Sequence, residues 1–89
     1  MEKARIRSIV YFYRKDGCHL CDDMARGLVE FRQELDPGIE FEIVERDIED
    51  EKHWYQRYRE YVPVLVLNHQ EICHYFLDKD ELRSALQCN

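Results

Sequence analysis

Two cysteines three residues apart, Cys18 and Cys21, follow an apolar run at residues 9–13 and open a helical pattern. Residues i and i+3 share one side of a helix, so the two sulfurs can approach bonding distance. The first N–H groups of a helix lack intrahelical acceptors, and the helix dipole is positive at that end. A thiolate at Cys18 would be stabilised there and its pKa lowered. The pattern therefore predicts a reactive dithiol in which Cys18 attacks and Cys21, one turn inward, resolves.

The residues around the two cysteines predict a strand–helix–strand unit. Residues 5–13 are predicted as a buried first strand because 9–13 are β-branched or aromatic throughout. Residues 18–35 are predicted as a helix. Its apolar face is formed by Leu20, Met24, Leu28, Phe31 and Leu35. Alternating apolar and charged residues at 39–46 predict a half-exposed second strand, and two strands joined by one helix are expected to be parallel.

The second half of the chain predicts a helix, a hairpin and a last helix. Residues 48–60 are predicted as a shorter helix. Residues 62–67 are predicted as a third strand with Pro63 at its start or edge, because proline cannot donate to a strand ladder. A polar turn follows, and residues 72–76 are predicted as the returning strand of a hairpin. Asp78 is expected to cap the final helix.

Composition limits the class of molecule. The 89 residues suffice for one domain, 1–89, and a hydrophobic content of 45% fits an ordinary globular protein. The net charge of −6 argues against nucleic-acid binding, which uses a basic face. The sequence shows neither a secretory signal pattern nor a run of ~20 apolar residues, so we expect a cytoplasmic monomer outside the membrane. In such a reducing compartment, we do not expect the four cysteines to form two structural disulfides.

The motifs and their order resemble a known family. The run from Gly17 to Asp22, the Val62-Pro63 pair before a strand, and the β-α-β-α-β-β-α order are similar to those of short bacterial glutaredoxin-like proteins of the thioredoxin superfamily. The resemblance covers nearly the whole chain. It implies an α/β fold with a four-stranded mixed sheet of order β2-β1-β3-β4, flanked by three helices. It also implies a thiol–disulfide oxidoreductase that works through Cys18 and Cys21.

The resemblance also implies roles for residues around the dithiol. Pro63 would be a cis-proline facing the two cysteines, and the backbone of Val62 would pair with an extended thiol substrate. Lys15 resembles the basic position that assists a glutathione carboxylate or the thiolate. The implied partners are a disulfide-containing protein or a low-molecular-weight thiol, without a tightly bound cofactor. Glutathione is a candidate co-substrate, and either glutathione or a thioredoxin-reductase-like donor would supply the electrons.

The chain departs from the glutaredoxin pattern at three places. His19-Leu20 stands where glutaredoxins carry Pro-Tyr, and Tyr61 stands where they carry threonine. Residues 75–78 contain no glycine, whereas glutaredoxins carry a Gly-Gly pair there that admits glutathione. These differences leave glutathione binding open and do not touch the dithiol.

Charged residues beside the cysteines act on a Cys18 thiolate in opposite directions. His19 could donate a hydrogen bond to the thiolate or stabilise it when protonated. Asp22 and Asp23 disfavour it, because nearby negative charge opposes ionisation. The sequence leaves the balance between these effects open.

Two alternative functions belong to other classes. In a metal-binding module, Cys18 and Cys21 would need partners such as Cys73, His74 or His69, because zinc takes four nitrogen or sulfur ligands. In an adaptor, the dithiol would be vestigial and the acidic surface would bind a partner. Cys73 itself is predicted as a buried apolar residue of the last strand. Cys88 is predicted to be exposed near the C-terminus.

Overall fold

The chain forms a four-stranded mixed sheet in a computed structural model, which describes residues 8–87. The strands are β1 (Ser8–Arg14), β2 (Phe41–Asp47), β3 (Val64–Leu67) and β4 (Gln70–His74); the helices are α1 (His19–Glu34), α2 (Lys52–Tyr58) and α3 (Lys79–Gln87). The sheet order is β2-β1-β3-β4. β1 pairs in parallel with β2 and antiparallel with β3, and β3 pairs antiparallel with β4. The predicted fold class and sheet order are confirmed.

One face of the sheet packs against α1 and α3. The alternating side chains Val10 and Phe12 of the central strand β1 point to this face, since successive residues of a strand face opposite sides. The buried cluster on this face is completed by Met24, Leu28, Phe31, Phe41, Leu65, Leu67, Leu82 and Leu86. Three of the five residues predicted for the apolar face of α1 are therefore buried in one core.

The opposite face packs against α2. Tyr13 of β1 stacks on Tyr58, with ring centroids 4.3 Å apart, and meets the edge of Trp54 at 5.7 Å. Ile48 and Val64 are fully buried in the same cluster. This second core is small and aromatic, because a helix of seven residues covers only part of the sheet.

The helix predicted at 48–60 is wrong in its extent. The structure has a 3₁₀ turn at Ile48–Asp50 and then α2 at Lys52–Tyr58. The carboxylate of Asp47 accepts the N–H of Glu49 at 2.9 Å and closes the short turn. Glu51 is extended between the two pieces, so one continuous helix cannot form.

The hairpin predictions are also shifted. β3 begins at Val64 and not at residue 62, since Val62 and Pro63 precede the ladder. The turn has only two residues, Asn68 and His69, both with positive φ (55° and 65°), as in tight hairpins. β4 therefore spans 70–74 and not 72–76. The first residues of β4 are polar and were predicted as part of the turn. They can be polar because β4 is an edge strand whose side chains are exposed here.

The remaining boundaries differ by one or two residues. β1 extends to Arg14, and residues 5–7 of the predicted strand lie outside the described residues, as does Cys88. β2 covers 41–47 where 39–46 was predicted. Asp78 caps α3 as expected, with its carboxylate accepting the N–H of Glu81 at 3.1 Å. Within residues 8–87, no helix combines the length and apolar character needed to cross a bilayer.

Cys73 of β4 is half-buried and packs against the core of α1 and α3. Burial raises the pKa of its thiol above the usual value of 9.0, because the thiolate would lose hydration. The folded state therefore holds the thiol proton of Cys73 more tightly than the unfolded chain does. The free energy of unfolding is unaffected below the pKa of the unfolded chain and decreases as the pH rises from that value through the raised pKa of the folded state.

We expect Cys73 to alkylate more slowly in the folded protein than in urea at a pH near 9. The reason is that the raised pKa leaves less thiolate. The measurement is the iodoacetamide rate of the C18S/C21A/C88S variant as a function of pH, in which Cys73 is the remaining cysteine. A folded-state profile that overlays the urea profile would contradict the raised pKa.

Phe31→Ala should lower the free energy of unfolding by about 3–5 kcal/mol, because it opens a cavity in the larger core. Phe31 is fully buried and meets the edge of Phe41, with ring centroids 5.9 Å apart. Val29→Ala on the same helix is the matched control; Val29 is 59% exposed, and its truncation should change stability by no more than ~0.5 kcal/mol. Urea titrations followed by circular dichroism measure both. Equal effects would show that the helix face has been assigned incorrectly.

Candidate active site

Cys18 is the N-cap residue of α1. The helix itself begins at His19, one residue later than the predicted start at residue 18. Gly17 turns the chain with a φ of 73°, a conformation that glycine adopts without strain. Cys18 is then extended (φ −101°, ψ 110°), and its Sγ accepts the N–H of Cys21 at 3.1 Å. A sulfur thus occupies the N-cap position, where serine, threonine or aspartate usually supplies an oxygen. Sequence spacing alone did not reveal this hydrogen bond.

Cys18 and Cys21 form a disulfide in the structure, with their Cα atoms 5.1 Å apart. The two residues differ in access to solvent. Cys18 is half-buried at the mouth of the helix, whereas Cys21 is 0% exposed. An incoming molecule can therefore reach the sulfur of Cys18 but not that of Cys21.

Apolar side chains surround Cys21. It belongs to the second core cluster. The other buried members of that cluster are Tyr13, Ile48, Tyr58, Val62 and Val64. Burial among such groups disfavours a charged sulfur at Cys21. The pair is therefore asymmetric: Cys18 is partly exposed and its sulfur accepts the N–H of Cys21, whereas Cys21 lies in an apolar core.

The acidic residues after the motif have cationic partners. Asp22 accepts a hydrogen bond from Arg14 at 2.7 Å, and Arg14 also lies 3.8 Å from Glu45. Asp23 pairs with Arg26 on the same helix. Both carboxylates that the sequence places near Cys18 are therefore partly neutralised. Arg14 was missed as a site residue; its position at the last residue of the strand that leads to the motif is the signal that could have identified it.

The Val62–Pro63 peptide bond is cis and lies against the dithiol cluster. Val62 packs in the same cluster as Cys18 and Cys21, and Pro63 is fully buried. The N–H of Val62 donates to the carbonyl of Tyr58 at 3.0 Å. The carbonyl of Pro63 accepts the N–H of Tyr75 at 2.8 Å.

Lys15 and His19 lie on either side of Cys18 without fixed partners. Lys15 is half-buried in the loop after β1, and His19 is exposed as the first residue of α1. Within residues 8–87, neither side chain forms a hydrogen bond or an ion pair. Both are near the motif in the chain, and neither is held in one position by the fold.

An exposed aromatic rim lies beside the cis-proline and was not predicted as part of the site. We define the rim as Tyr61, Tyr75 and Phe76. Tyr75 leaves the strand with a φ of 64°, so that its N–H reaches Pro63 and its hydroxyl donates to the carbonyl of Glu60 at 2.7 Å. The Tyr61 and Tyr75 rings lie 6.4 Å apart, and Phe76 is 69% exposed. Tyr75 and Phe76 fall within the strand predicted at 72–76. Their departure from the strand was not predicted, because a positive φ at a tyrosine cannot be inferred from residue type.

The residues considered as additional metal ligands are not brought to the dithiol. Cys73 packs against the core on the other face of the sheet, and His69 lies in the hairpin turn. His74 pairs with Glu71 at 2.6 Å. Among residues 8–87, no three histidine, cysteine or acidic side chains are grouped as a metal site.

Comparison with known proteins places this geometry in a family. The family model described as glutaredoxin-like domain (DUF836) matches residues 9–87. Protein Ne2328 from Nitrosomonas europaea, solved by NMR, is 31% identical over 97% of this chain and 99% of its own, with a TM-score of 0.77. Protein XcR50 from X. campestris is 25% identical over 90% of this chain and 97% of its own, with a TM-score of 0.66.

Thioredoxin 1 from Thermosipho africanus shares the fold at 15% identity, over 90% of this chain and 96% of its own, with a TM-score of 0.58. No curated protein sequence matches this chain significantly. The family model covers nearly all of the sheet, the three described helices and the dithiol. The chain has the thioredoxin fold and belongs to the glutaredoxin-like domain family (DUF836).

Proposed function

We propose that this protein is a thiol–disulfide oxidoreductase of the cytoplasm that acts as a monomer through Cys18 and Cys21. The observation that carries the proposal is the asymmetry of the pair: Cys18 is accessible at a helix N-cap, and Cys21 is bonded to it and fully buried. A structural disulfide does not require one open sulfur. A two-step exchange does, because only one sulfur meets the substrate.

In the first step, the Cys18 thiolate attacks one sulfur of a substrate disulfide. A Cys18–substrate disulfide forms, the substrate bond breaks, and the departing thiolate takes a proton from water. In the second step, Cys21 loses its proton and attacks the Cys18 sulfur. The intramolecular disulfide forms and the second substrate thiolate leaves, so that two electrons pass from the dithiol to the substrate. A thiol donor, either glutathione or a thioredoxin-reductase-like protein, then reduces the pair again.

Four groups support the first step. The N–H of Cys21 points at the Cys18 sulfur and would strengthen its hydrogen bond when that sulfur is negative. Arg14 pairs with Asp22 and reduces the repulsion between this carboxylate and a thiolate. His19, when protonated, and Lys15 would add positive charge on either side, and both are free to turn toward a bound substrate.

The backbone of Val62 and the aromatic rim would hold the substrate. Since the N–H of Val62 is already bonded to Tyr58, an extended substrate would pair with the carbonyl of Val62. The rim would contact apolar side chains of that substrate. This arrangement favours a disulfide in a protein over glutathione alone, because Tyr75 and Phe76 occupy the stretch where glutaredoxins have two glycines. No tightly bound cofactor is required.

The test is a redox titration against a glutathione buffer series in a C73S/C88S background. We expect one two-electron transition that needs both remaining cysteines. Cys18→Ser should abolish disulfide reduction while the protein stays folded, because serine is a good N-cap and keeps the hydrogen bond from Cys21. Thermal unfolding of the C18S variant is the matched control.

Cys21→Ala should trap a stable disulfide between Cys18 and a substrate thiol, which mass spectrometry detects. Alanine is preferred to serine because a hydroxyl at this buried position would cost about 1–3 kcal/mol if left without a partner. A pair that stays reduced throughout the titration would overturn the proposed oxidoreductase and favour an adaptor. Stoichiometric zinc bound by both cysteines would favour a metal-binding module instead.

A further inference from the structure

A groove lies on the α2 face of the sheet, beyond the part that α2 covers. It has a volume of about 890 Å³, within the range of small-molecule sites. Tyr13 and Tyr58 form the wall toward α2, and Asn68 and His69 of the hairpin turn close the other end. The floor between them is formed by Ile9, Tyr11 and Val66. We call this region the Tyr–Arg groove, because Arg46 and Arg57 complete its lining with Ser8.

The charge of the Tyr–Arg groove is opposite to that of the chain. The protein has a net charge of −6, yet among residues 8–87 the groove is lined by two arginines and by no aspartate or glutamate. Glu42 and Glu71 lie on the same face, opposite Ile9 and Val66 in the sheet register, outside the lining. Glu71 is bonded to His74 at 2.6 Å. The charged side chains of the described lining are therefore both positive, although the protein as a whole is acidic.

Arg46 is held rigidly by aromatic rings and not by a carboxylate. Its guanidinium carbon lies 4.0 Å from the centre of the Tyr11 ring and 4.8 Å from that of Trp54. One N–H donates to the hydroxyl of Tyr13 at 2.9 Å. Within residues 8–87, no carboxylate oxygen lies within 4.0 Å of Arg46 or Arg57. A fixed guanidinium with unused donors is suited to bind an anion, because little side-chain entropy remains to be lost.

Arg57 supplies a second guanidinium from α2. It is exposed and stacks on Tyr58 at 5.6 Å from the ring centre. The floor offers a flat apolar surface, since Ile9 is 37% exposed and Tyr11 and Val66 are half-buried. Two guanidinium groups beside a flat apolar floor match a ligand that has a planar ring and a group with two negative charges. A phosphate monoester carries about −1.5 to −2 charges at neutral pH, whereas a carboxylate carries only one.

From this arrangement we infer that the Tyr–Arg groove binds a small aromatic phosphate, with its ring on the floor of Ile9, Tyr11 and Val66 and its phosphate on Arg46 and Arg57. The site is separate from the dithiol and does not depend on it. A nucleoside monophosphate and a simple aryl phosphate share this chemistry.

Trp54 fluorescence reports binding directly, because Trp54 is the only tryptophan and contacts Arg46. The full-length protein is titrated with adenosine monophosphate and with phenyl phosphate at constant ionic strength. Adenosine, which lacks the phosphate, and inorganic phosphate, which lacks the ring, are titrated as controls. We expect saturable binding of at least one aromatic phosphate, about tenfold or more tighter than either control. The ligand that binds more tightly shows whether the groove prefers a nucleoside monophosphate or a simple aryl phosphate.

Arg57→Gln should weaken binding about tenfold or more, as loss of a charged hydrogen-bond donor does. Arg59→Gln is the matched control on the same segment, since Arg59 stacks on Tyr55, lies 4.0 Å from Glu60 and does not line the groove. Arg57 is the better target than Arg46, whose loss could loosen the packing of Trp54. The titration is repeated on the C18S variant, where binding should persist whether or not the dithiol is active.

Three results would overturn the inference. One is that neither aromatic phosphate shows saturable binding up to ~10 mM, because a dissociation constant above this value is too weak for a specific site. Another is equal affinity for inorganic phosphate, which would show a simple anion effect. The third is equal weakening by Arg57→Gln and Arg59→Gln, which would show that the charge acts from a distance and not in the groove.

Discussion

The burial of β1 on both faces is the constraint on which the structure depends. Val10 and Phe12 enter the core beneath α1 and α3, while Tyr13 enters the aromatic core beneath α2. Hydrogen-bonded strands lie on both sides of β1, so the strand cannot shift register without exposing one core. Because the strand is fixed, its end at Arg14 is fixed as well, and the loop of three residues that follows places Cys18 at the start of α1. The position of the dithiol is thus a consequence of packing several residues away.

The dithiol joins two environments of different polarity. The Cys18 side has backbone N–H groups and a paired Asp22, whereas the Cys21 side has the aromatic cluster around Tyr13. The same tyrosine connects this cluster to the Tyr–Arg groove, since its ring packs on Tyr58 and its hydroxyl accepts from Arg46. One face of a small sheet therefore carries two chemically distinct regions that share a wall.

The sequence predicts the fold well because its periodicities are long and its motifs are local. The apolar face of α1, the Asp78 cap and the order of the elements could each be inferred from spacing. The predictions failed where polar or short segments were decided by tertiary context. The strand β4 tolerates Gln70 and Glu71 because it is an edge strand, and Asp47 caps a separate 3₁₀ turn before α2 begins. The cysteine pair was identifiable, and the position of Arg14 at the end of the strand before it was a usable signal, but the aromatic rim and Arg46 were not identifiable. Their roles arise from contacts between residues distant in the chain or from a backbone angle that residue type does not reveal.

The N-cap hydrogen bond at Cys18 couples the chemistry of one sulfur to the start of a helix. In the structure, the N–H of Cys21 donates to the Cys18 sulfur of the internal disulfide. A negatively charged acceptor holds this N–H more strongly than a neutral one. By thermodynamic reciprocity, whatever stabilises the first turn of α1 also favours the thiolate, and formation of either disulfide weakens the beginning of that helix. The order of the first helical turn is therefore itself a variable of the proposed redox cycle.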